Sequence, residues 1–398
     1  MVRTICYGFA VSLVLFFSSP AQAKVDVPFD GDADGDILIS TANGFLHWVE
    51  HNAGNLGGVH TNANNQGAGT VQEIDIADID GDGNGDILTA RNNGYVTWTE
   101  RNGDALGGVT SFNIGSAHSI DTGDLDGDAN GDMIMLRDDG HVLWLEYNGS
   151  GGLTANNPSY NVGGGNAHAI AIGDLDGDAD GDFVVNKLDN ITFWGERSGN
   201  NVTGVTNAFG TNQAVALEIG DMDGDANGDI VIGRLDGYLT YAERSGSTIT
   251  SGIAAPNTNM GSISDLALGD ADGDGLDEII VAQAGNNAFL FVVNQNGSGL
   301  SAIASTQVTG ANNAITSLDV GDLDGDGLLD IVVGRDDGYI QWLEVSADGT
   351  SISGGPTYNL GSAIVDLRVA SATVIPEPTS LALLAVGLVG LLSRRRCA

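Results

Sequence analysis

Short hydrophobic segments alternate with polar, glycine-rich segments along most of the chain. In one stretch, four β-prone segments follow one another, Glu73 to Ala77, Ile87 to Ala90, Tyr95 to Glu100 and Val109 to Ile114, and Asn92-Asn93-Gly94 forms a hairpin signal between the second and third. Comparable sets recur roughly every 50 residues. Four antiparallel strands in a repeat of this length are typical of a propeller blade. The pattern therefore predicts an all-β, seven-bladed β-propeller with four-stranded blades.

The end of the repeat region predicts how the ring closes. Residues Ile364 to Val369 match the first strand of a repeat, but Ser371 stands where the next polar loop would begin with Asp. We expect this last strand to complete the first blade, a 1+3 closure that leaves no open sheet edge.

An aromatic residue recurs in the third strand of each repeat. We interpret these rings as packing between blades rather than as a surface that stacks on sugars. They are Trp48, Trp98, Trp144, Trp194, Tyr241, Phe291 and Trp342.

The polar segment between the first and second strands of each repeat has the pattern of a calcium loop. Residues 1, 3 and 5 can point inward from a tight turn, residue 7 offers its backbone carbonyl and residue 9 completes the site. Ca²⁺ takes six to eight oxygen ligands in flexible geometry, whereas Mg²⁺ requires a strict octahedron, so Ca²⁺ is the expected ion. The ligands in the six complete copies are Asp78, Asp80, Asp82, Asn84 and Asp86; Asp124, Asp126, Asp128, Asn130 and Asp132; Asp174, Asp176, Asp178, Asp180 and Asp182; Asp221, Asp223, Asp225, Asn227 and Asp229; Asp270, Asp272, Asp274, Leu276 and Glu278; and Asp322, Asp324, Asp326, Leu328 and Asp330.

A seventh copy is incomplete because Pro28 occupies its first ligand position. Its remaining candidate ligands are Asp30, Asp32, Asp34 and Asp36, and we expect weak binding there. The sequence thus predicts about six calcium sites and a weaker seventh, with a structural role for the ion.

Two other calcium-binding motifs do not fit the sequence, and one alternative without a bound ion remains. An EF-hand needs an acid at loop position 12, where this chain has Thr89, Met135, Val185, Ile232, Val281 and Val333. A nonapeptide β-helix would repeat far more often than these loops do. The alternative is that the Asp-Gly runs are only solvated turns, although six matched copies argue against it.

Both ends of the chain carry segments with the pattern of export or sorting signals. Residues 1–23 combine Arg3, an apolar run and the small-residue site Ala21-Gln22-Ala23, as in a secretory signal peptide. Residues 376–398 contain Pro376-Glu377-Pro378, a short apolar segment and three arginines. The two cysteines, Cys6 and Cys397, both fall in these segments, so a disulfide framework is excluded for residues 24–375, the predicted propeller domain.

Two resemblances follow from these motifs. The C-terminal segment resembles the PEP-CTERM sorting signal, which implies export in a Gram-negative bacterium, processing by exosortase-type machinery and delivery to the cell surface or matrix. The repeats resemble the FG-GAP or VCBS repeats of integrin-α-like propellers, which implies the calcium ligands given above. Departures are Pro28, Glu278 in place of Asp, and alanine at loop position 6 in Ala33, Ala129, Ala179 and Ala226.

Charge and motifs limit the function. The formal net charge of −39 disfavours nucleic acid and anionic membranes as partners, so we expect membrane contact only transiently through the tail. No Gly-x-Ser-x-Gly, P-loop or His-Glu-x-x-His motif occurs.

Basic residues share one repeat position, before the turn that joins the second and third strands. Two histidines at equivalent repeat positions precede a first strand, so we expect them at the same end of their blades. The basic residues and these histidines are Arg91, Arg137, Lys187, Arg234, Arg335, His118 and His168. Local pairing with acids such as Asp138, Asp139, Asp336 and Asp337 is one interpretation, and a basic rim that contacts anionic polysaccharide is the other. We expect a non-enzymatic adhesion or matrix-binding module for exopolysaccharide or a surface protein; the alternative is a polysaccharide lyase or hydrolase on the same scaffold.

Overall fold

The computed structural model describes residues 35–370, apart from 53–54, 63–68, 83, 103–104, 126–130, 148–151, 164–166, 178–180, 188–190, 199–200, 211–213, 226, 246–247, 255–260, 286–287, 296–298 and 309–312. The predicted signal peptide, the sorting tail and Asp30, Asp32 and Asp34 lie outside the described residues. Strands and turns account for the described residues, with no helix among them. That part of the chain therefore holds no helix of the length and apolarity needed to cross a bilayer.

Within the described residues, twenty-eight strands form seven four-stranded antiparallel sheets. Blade 1 contains β1 (Asp36–Thr41), β2 (Leu46–Asn52), β3 (Asn55–Asn62) and the last strand β28 (Ile364–Ala370). Blade 2 contains β4 (Val71–Ala77), β5 (Asp86–Arg91), β6 (Tyr95–Asn102) and β7 (Ala105–Asn113), and blade 3 contains β8 (Ala117–Gly123), β9 (Asp132–Arg137), β10 (His141–Tyr147) and β11 (Leu153–Asn161). Blade 4 contains β12 (Ala167–Gly173), β13 (Asp182–Lys187), β14 (Ile191–Ser198) and β15 (Asn201–Gly210).

The remaining blades repeat this order. Blade 5 contains β16 (Ala214–Gly220), β17 (Asp229–Arg234), β18 (Leu239–Ser245) and β19 (Thr248–Ala254). Blade 6 contains β20 (Ile263–Gly269), β21 (Glu278–Gln283), β22 (Phe289–Gln295) and β23 (Leu300–Gln307), and blade 7 contains β24 (Ile315–Gly321), β25 (Asp330–Arg335), β26 (Tyr339–Val345) and β27 (Ile352–Asn359). The predicted fold class, an all-β seven-bladed propeller with four-stranded blades, is confirmed.

One strand of each blade faces the axis of the ring. These inner strands are β28, β4, β8, β12, β16, β20 and β24, and each contacts the inner strands of the two neighbouring blades. In blade 1 the inner strand comes from the end of the repeat region: β28 pairs with β1, with Asp36 opposite Ala370 and Ser40 opposite Asp366.

The hydrophobic core lies between successive blades. The second strands β1 and β5 are buried at every residue, because adjacent blades cover both of their faces. Trp98 is 2% exposed and packs with Met133 and Met135 of the next blade. The prediction that these aromatic residues pack between blades is therefore confirmed for Trp98.

Every inner strand carries a β-bulge at its second residue. The pairing of β8 with β9, for example, passes from Ala117 to Ser119 and leaves His118 without a partner in the ladder. The corresponding residues of the other inner strands are Gln72, His168, Val215, Ser264, Thr316 and Val365. A bulge bends the strand and changes the direction of the extra side chain, at the blade end opposite the acidic loops.

Candidate metal centres and the opposite rim

In blades 2 to 7 an acidic loop connects the inner strand to the second strand, as predicted. In blade 1 the inner strand is the C-terminal β28, so the loop copy that ends at Asp36 only precedes β1. The loop from Asp270 to Glu278 is described in full and shows how the turn forms. Gly273 and Gly275 have φ angles of 75° and 88°, a left-handed conformation that glycine adopts without strain. The Asp270 carboxylate accepts hydrogen bonds from the amides of Gly273 at 2.7 Å and Gly275 at 2.9 Å. The first ligand position therefore also fixes the turn.

Among the described parts of the loops, five bring three carboxylates together. In each, the ligand atoms of three acids lie within 4.8 Å of one another. The groups are Asp78, Asp80 and Asp82; Asp174, Asp176 and Asp182; Asp221, Asp223 and Asp225; Asp270, Asp272 and Glu278; and Asp322, Asp324 and Asp330. Each set offers only oxygen donors at spacings that one cation can bridge, which fits the preference of Ca²⁺.

Five predicted ligands of the second and third complete loops lie outside the described residues. They are Asp126, Asp128 and Asn130 of the second loop and Asp178 and Asp180 of the third. Position 6 shows positive φ in Gly275 and Gly327, whereas the four loops with alanine there have that residue outside the described ranges.

The residue at loop position 9 is buried in every copy. Asp36, Asp86, Asp132, Asp182, Asp229, Glu278 and Asp330 are each less than 5% exposed. In the six complete loops, one carboxylate oxygen of this residue accepts a hydrogen bond from the amide of loop position 2, at 2.9 to 3.3 Å. In three of these loops the position 9 residue, Asp182, Glu278 or Asp330, is also a member of the three-carboxylate group.

Burial changes the acidity of these groups. It raises the pKa of Asp330 and of Glu278 to about 7, and that of Asp229 to about 8. Burial and then the neighbouring carboxylate at position 5 raise the pKa of Asp80, Asp223 and Asp272. A buried ionised carboxylate is costly without a compensating charge, so a bound cation would favour the ionised form. The donor set and its burial both suit a hard divalent cation.

Neighbouring loops are joined by backbone hydrogen bonds that the sequence did not predict. The amide at loop position 8 donates to the carbonyl at the first ligand position of the preceding loop, as in Gly131 to Asp78 at 2.8 Å and Gly228 to Asp174 at 2.7 Å. A Cβ atom on Gly131 would lie 2.9 Å from that carbonyl oxygen. In the sequence, this contact is marked by the glycine that recurs at loop position 8.

The basic residues lie at the opposite blade ends, at or beside the turns between the second and third strands. Arg137 pairs with Asp139 at 2.6 Å, Arg335 with Asp337 at 2.5 Å, and Arg234 with Asp236. These contacts support the local-pairing interpretation for all three arginines. These arginines lie at the predicted end of their blades, but each pairs with an aspartate of its own turn.

The other two basic residues, Arg91 and Lys187, are buried. Arg91 is 0% exposed and donates to the carbonyl of Gly69 at 3.0 Å, and Lys187 is 5% exposed, with its Nζ 5.6 Å from the centre of the Phe193 ring. Sequence position could not reveal this, because burial depends on the adjacent turn segments that cover the side chain.

The two predicted rim histidines are neighbours. The ring centres of His118 and His168 are 5.8 Å apart, and His118 Nδ1 lies 3.0 Å from Asp138 Oδ1. Burial, and then the nearby His118, lower the pKa of His168. We expected both residues to precede the inner strands; the structure corrects this, because each is the bulged second residue within its strand.

The inner strands also hold a cluster of charged side chains that the sequence did not predict. Arg368 of β28 lies 2.9 Å from Asp366, 3.4 Å from Asp75 and 3.6 Å from Glu73. The Glu73 carboxylate also accepts from the amide of Ile120 in the next blade, at 2.7 Å. Burial and then Asp366 raise the pKa of Glu73 to about 8, while Arg368 opposes that rise.

The same arrangement recurs around the ring. Inner-strand carboxylates accept from backbone amides of the next inner strand, as Asp366 does from Ile74 and Asp265 does from Leu318, both at 2.8 Å. The acids at alternate positions of the inner strands are visible in the sequence, but their partners are distant: the separation is 53 residues for Asp265 and Leu318 and 292 residues for Asp366 and Ile74. They therefore join blade to blade.

Comparisons with known proteins agree with this architecture. Residues 270–333 match the FG-GAP-like repeat family, and residues 374–396 match the PEP-CTERM protein-sorting motif, which indicates export and surface association in Gram-negative bacteria. No curated protein matches the chain significantly.

Solved structures share the fold at low sequence identity. The chain is similar to a candidate 6-phosphogluconolactonase from Bacteroides fragilis, with 11% identity, 86% of this chain and 99% of that chain covered, and a TM-score of 0.59. It is also similar to the C-terminal WD40 domain of Sif2, with 14% identity, coverage of 88% and 93%, and a TM-score of 0.53. At these identities the likeness shows the fold alone. The chain is therefore a seven-bladed β-propeller that carries an FG-GAP-like repeat and a PEP-CTERM protein-sorting motif.

Proposed function

We propose that this protein is a non-enzymatic binding module of the bacterial surface or matrix whose propeller is stabilised by calcium. The observation that carries the proposal is the set of five three-carboxylate groups, each with ligand atoms within 4.8 Å, at equivalent loops of the blades. The sorting motif directs the chain to the outside of the cell, and extracellular modules bind Ca²⁺ with dissociation constants of about 10⁻⁴ to 10⁻³ M.

Calcium has a structural role in this proposal. When bound, the ion supplies the positive charge that buried acids such as Asp330 and Glu278 lack within their loops. Hydrogen bonds join successive loops, including Asp277 to Asp221 at 3.2 Å and Gly35 to Leu323 at 2.9 Å. An ion that fixes one loop would therefore also stabilise the hydrogen bond between that loop and the loop of the neighbouring blade.

The binding face is the rim opposite the loops, built from the turns between second and third strands. Its arginines are largely committed to neighbouring aspartates, so charge alone is a poor basis for recognition. An aromatic residue begins the third strand in several blades, and Tyr95 is 39% exposed. Tyr238 and Tyr339 are partly exposed, and the guanidinium carbons of Arg234 and Arg335 lie 5.2 Å from their ring centres. These contacts hold the rings in place.

Fixed, partly exposed rings at repeated positions suit a repeating polymer. The apolar C–H face of a sugar can pack on an aromatic ring with little loss of side-chain entropy, because Tyr has few rotatable bonds. Several weak contacts on one chain give useful affinity through multivalency. The partner class that this surface fits is an extracellular polysaccharide, with a surface protein as the alternative.

A glycan array probed with the calcium-loaded protein tests this proposal. We expect binding to one or more matrix polysaccharides, a loss of at least tenfold in Tyr95→Ala combined with Tyr238→Ala, and an unchanged melting temperature. Val109→Ala is the matched control, since Val109 is similarly exposed at 38% but lies on an outer strand. Equal binding by the double variant would contradict the rim assignment, and release of oligosaccharide products would identify a lyase or hydrolase instead.

A further inference from the structure

The two rim histidines are brought together by the bulges of adjacent inner strands. His118 and His168 are the extra residues of the bulges in β8 and β12, and those strands contact each other along the ring. A regular strand would alternate its side chains between the two faces, whereas a bulge redirects one side chain. The repeated bulge therefore places two imidazoles side by side at one end of the axis.

Their separation is that of two ligands on one metal ion. A Zn–N bond is about 2.0 to 2.1 Å, and the ring centre lies about 1.1 Å beyond the ligating nitrogen. Two imidazoles bound at a tetrahedral angle then have ring centres about 5 to 6 Å apart. The observed distance is 5.8 Å with the rings tilted by 56°, which lies within that range.

Asp138 sets the tautomer of the first histidine. Its Oδ1 lies 3.0 Å from His118 Nδ1. An ionised carboxylate can only accept a hydrogen bond, so Nδ1 of neutral His118 carries the hydrogen and Nε2 carries the lone pair. A carboxylate that orients a histidine in this way is a common partner of metal-ligating imidazole and strengthens it as a ligand.

The surroundings favour metal binding over a pair of charged imidazoles. Two imidazolium ions at this distance would repel each other, and burial further disfavours the charged form of His168. The side chain of His118 is 37% exposed, so an ion and its remaining water ligands can reach the pair from solvent. Imidazole is a ligand preferred by Zn²⁺, Cu²⁺ and Ni²⁺ and not by Ca²⁺, which separates this position chemically from the oxygen-lined loops.

We propose that His118 and His168 together bind one divalent transition-metal ion of the Zn²⁺, Ni²⁺ or Cu²⁺ class, with Asp138 as the positioning residue and water completing the coordination. The site lies on the rim opposite the calcium loops and does not depend on the proposed polysaccharide binding. Since the protein supplies two ligands, we expect affinity in the micromolar range.

Zn²⁺ calorimetry of the whole protein in saturating Ca²⁺ tests the proposal. We expect one Zn²⁺ equivalent whose affinity falls at least tenfold in His118→Ala and in His168→Gln, and by about 10-fold or more in Asp138→Asn. His141→Ala is the control, because His141 lies on the same rim but its Nε2 is 2.9 Å from Asn161 Nδ2. All variants should keep the calcium-loaded melting temperature.

Cu²⁺ electron paramagnetic resonance supplies a readout of the ligands themselves. The wild-type spectrum should show coupling to two imidazole nitrogens, and the His118→Ala spectrum to at most one. Zn²⁺ affinity unchanged in both histidine variants, or a Cu²⁺ spectrum with oxygen ligands alone, would overturn the proposal. If His168→Gln lowers the melting temperature, His118→Ala and Asp138→Asn still decide the question, because both residues are solvent-exposed in part.

Discussion

The backbone amide of Gly131 donates a hydrogen bond of 2.8 Å to the backbone carbonyl oxygen of Asp78, which joins the acidic loop of blade 3 to that of blade 2. Asp78 is the first predicted metal ligand of its loop, so the bond links a ligand-bearing residue to the neighbouring blade. Comparable bonds connect three further pairs of loops among the described residues. The loops are consequently part of the blade-to-blade contact as well as candidate metal sites.

Replacing Gly131 with alanine should weaken this contact. The new Cβ would lie 2.9 Å from the Asp78 carbonyl oxygen and 3.1 Å from the Ala77 Cβ, so one backbone must move. We expect a loss of about 1 to 3 kcal/mol in unfolding free energy, measured by urea titration in excess Ca²⁺. Gly108→Ala is the control, since nothing lies within 4 Å of a Cβ there. Equal urea midpoints for the two variants would show that the loop contact is unimportant.

Asp330→Asn should have opposite effects with and without calcium. Burial raises the pKa of Asp330 to about 7, so in EDTA at pH 8 the neutral amide should stabilise the protein relative to the wild type. In Ca²⁺ the same variant should lose one site in a calcium titration and melt at a lower temperature. Asp336→Asn, in an exposed turn at the opposite end of the same blade, should change neither result, because its side-chain oxygen can still accept the hydrogen bond from the Ala314 amide. A variant that behaves identically in EDTA and Ca²⁺ would contradict the ligand assignment.

Arg368 should be far more important to stability than the rim arginines. Removing it in Arg368→Met leaves Asp75 and Asp366 buried beside Glu73 without their cation, a change that typically costs about 3 to 5 kcal/mol. Arg137→Met removes a partly exposed ion pair with Asp139 and should cost about 0 to 1 kcal/mol. Urea unfolding at pH 7.5 compares the two variants. Similar losses would mean that the axial cluster contributes no more than a surface pair.

Glu73 predicts a pH dependence of stability. Its pKa is about 8 in the folded chain and 4.5 when unperturbed, so the folded state binds the extra proton between these values. The unfolding free energy should therefore fall as pH rises from about 5 to 8, by at most about 1.4 kcal/mol per pH unit for this group. Glu73→Gln should reduce the slope in saturating Ca²⁺, whereas the exposed Glu344→Gln should leave it intact. An identical slope in Glu73→Gln would refute this assignment.

Local patterns made much of the fold predictable. The strands and the loop ends follow from alternating hydrophobic residues and from turn residues at fixed spacing, and Trp98 packs between blades as its repeat position suggested. Two of the three-carboxylate groups follow from spacing alone, because residues 1, 3 and 5 of a tight turn are close to one another. The other three groups combine positions 1 and 3 with the buried residue at position 9, which the start of the second strand holds in place.

Contacts between blades were not predictable in the same way. Glu73 meets Ile120, and Arg368 meets Asp75, across large sequence separations, so no local pattern records them. The burial of Arg91 also depends on the neighbouring turn. In contrast, the sequence itself shows an aspartate two residues after Arg137 and after Arg335. The interpretation of local pairing depended on such nearby acids, and both pairs form.

Thermal unfolding in Ca²⁺ and in EDTA tests the central claim, that calcium in the loops stabilises the propeller. A site that binds only the folded state contributes about 2.7 kcal/mol at a hundredfold excess of ion over its dissociation constant, and several sites together rival the net stability of a domain. We predict that EDTA lowers the melting temperature by tens of degrees, and that Ca²⁺ restores it while equimolar Mg²⁺ does not. The same melting temperature in EDTA and in saturating Ca²⁺ would contradict the account.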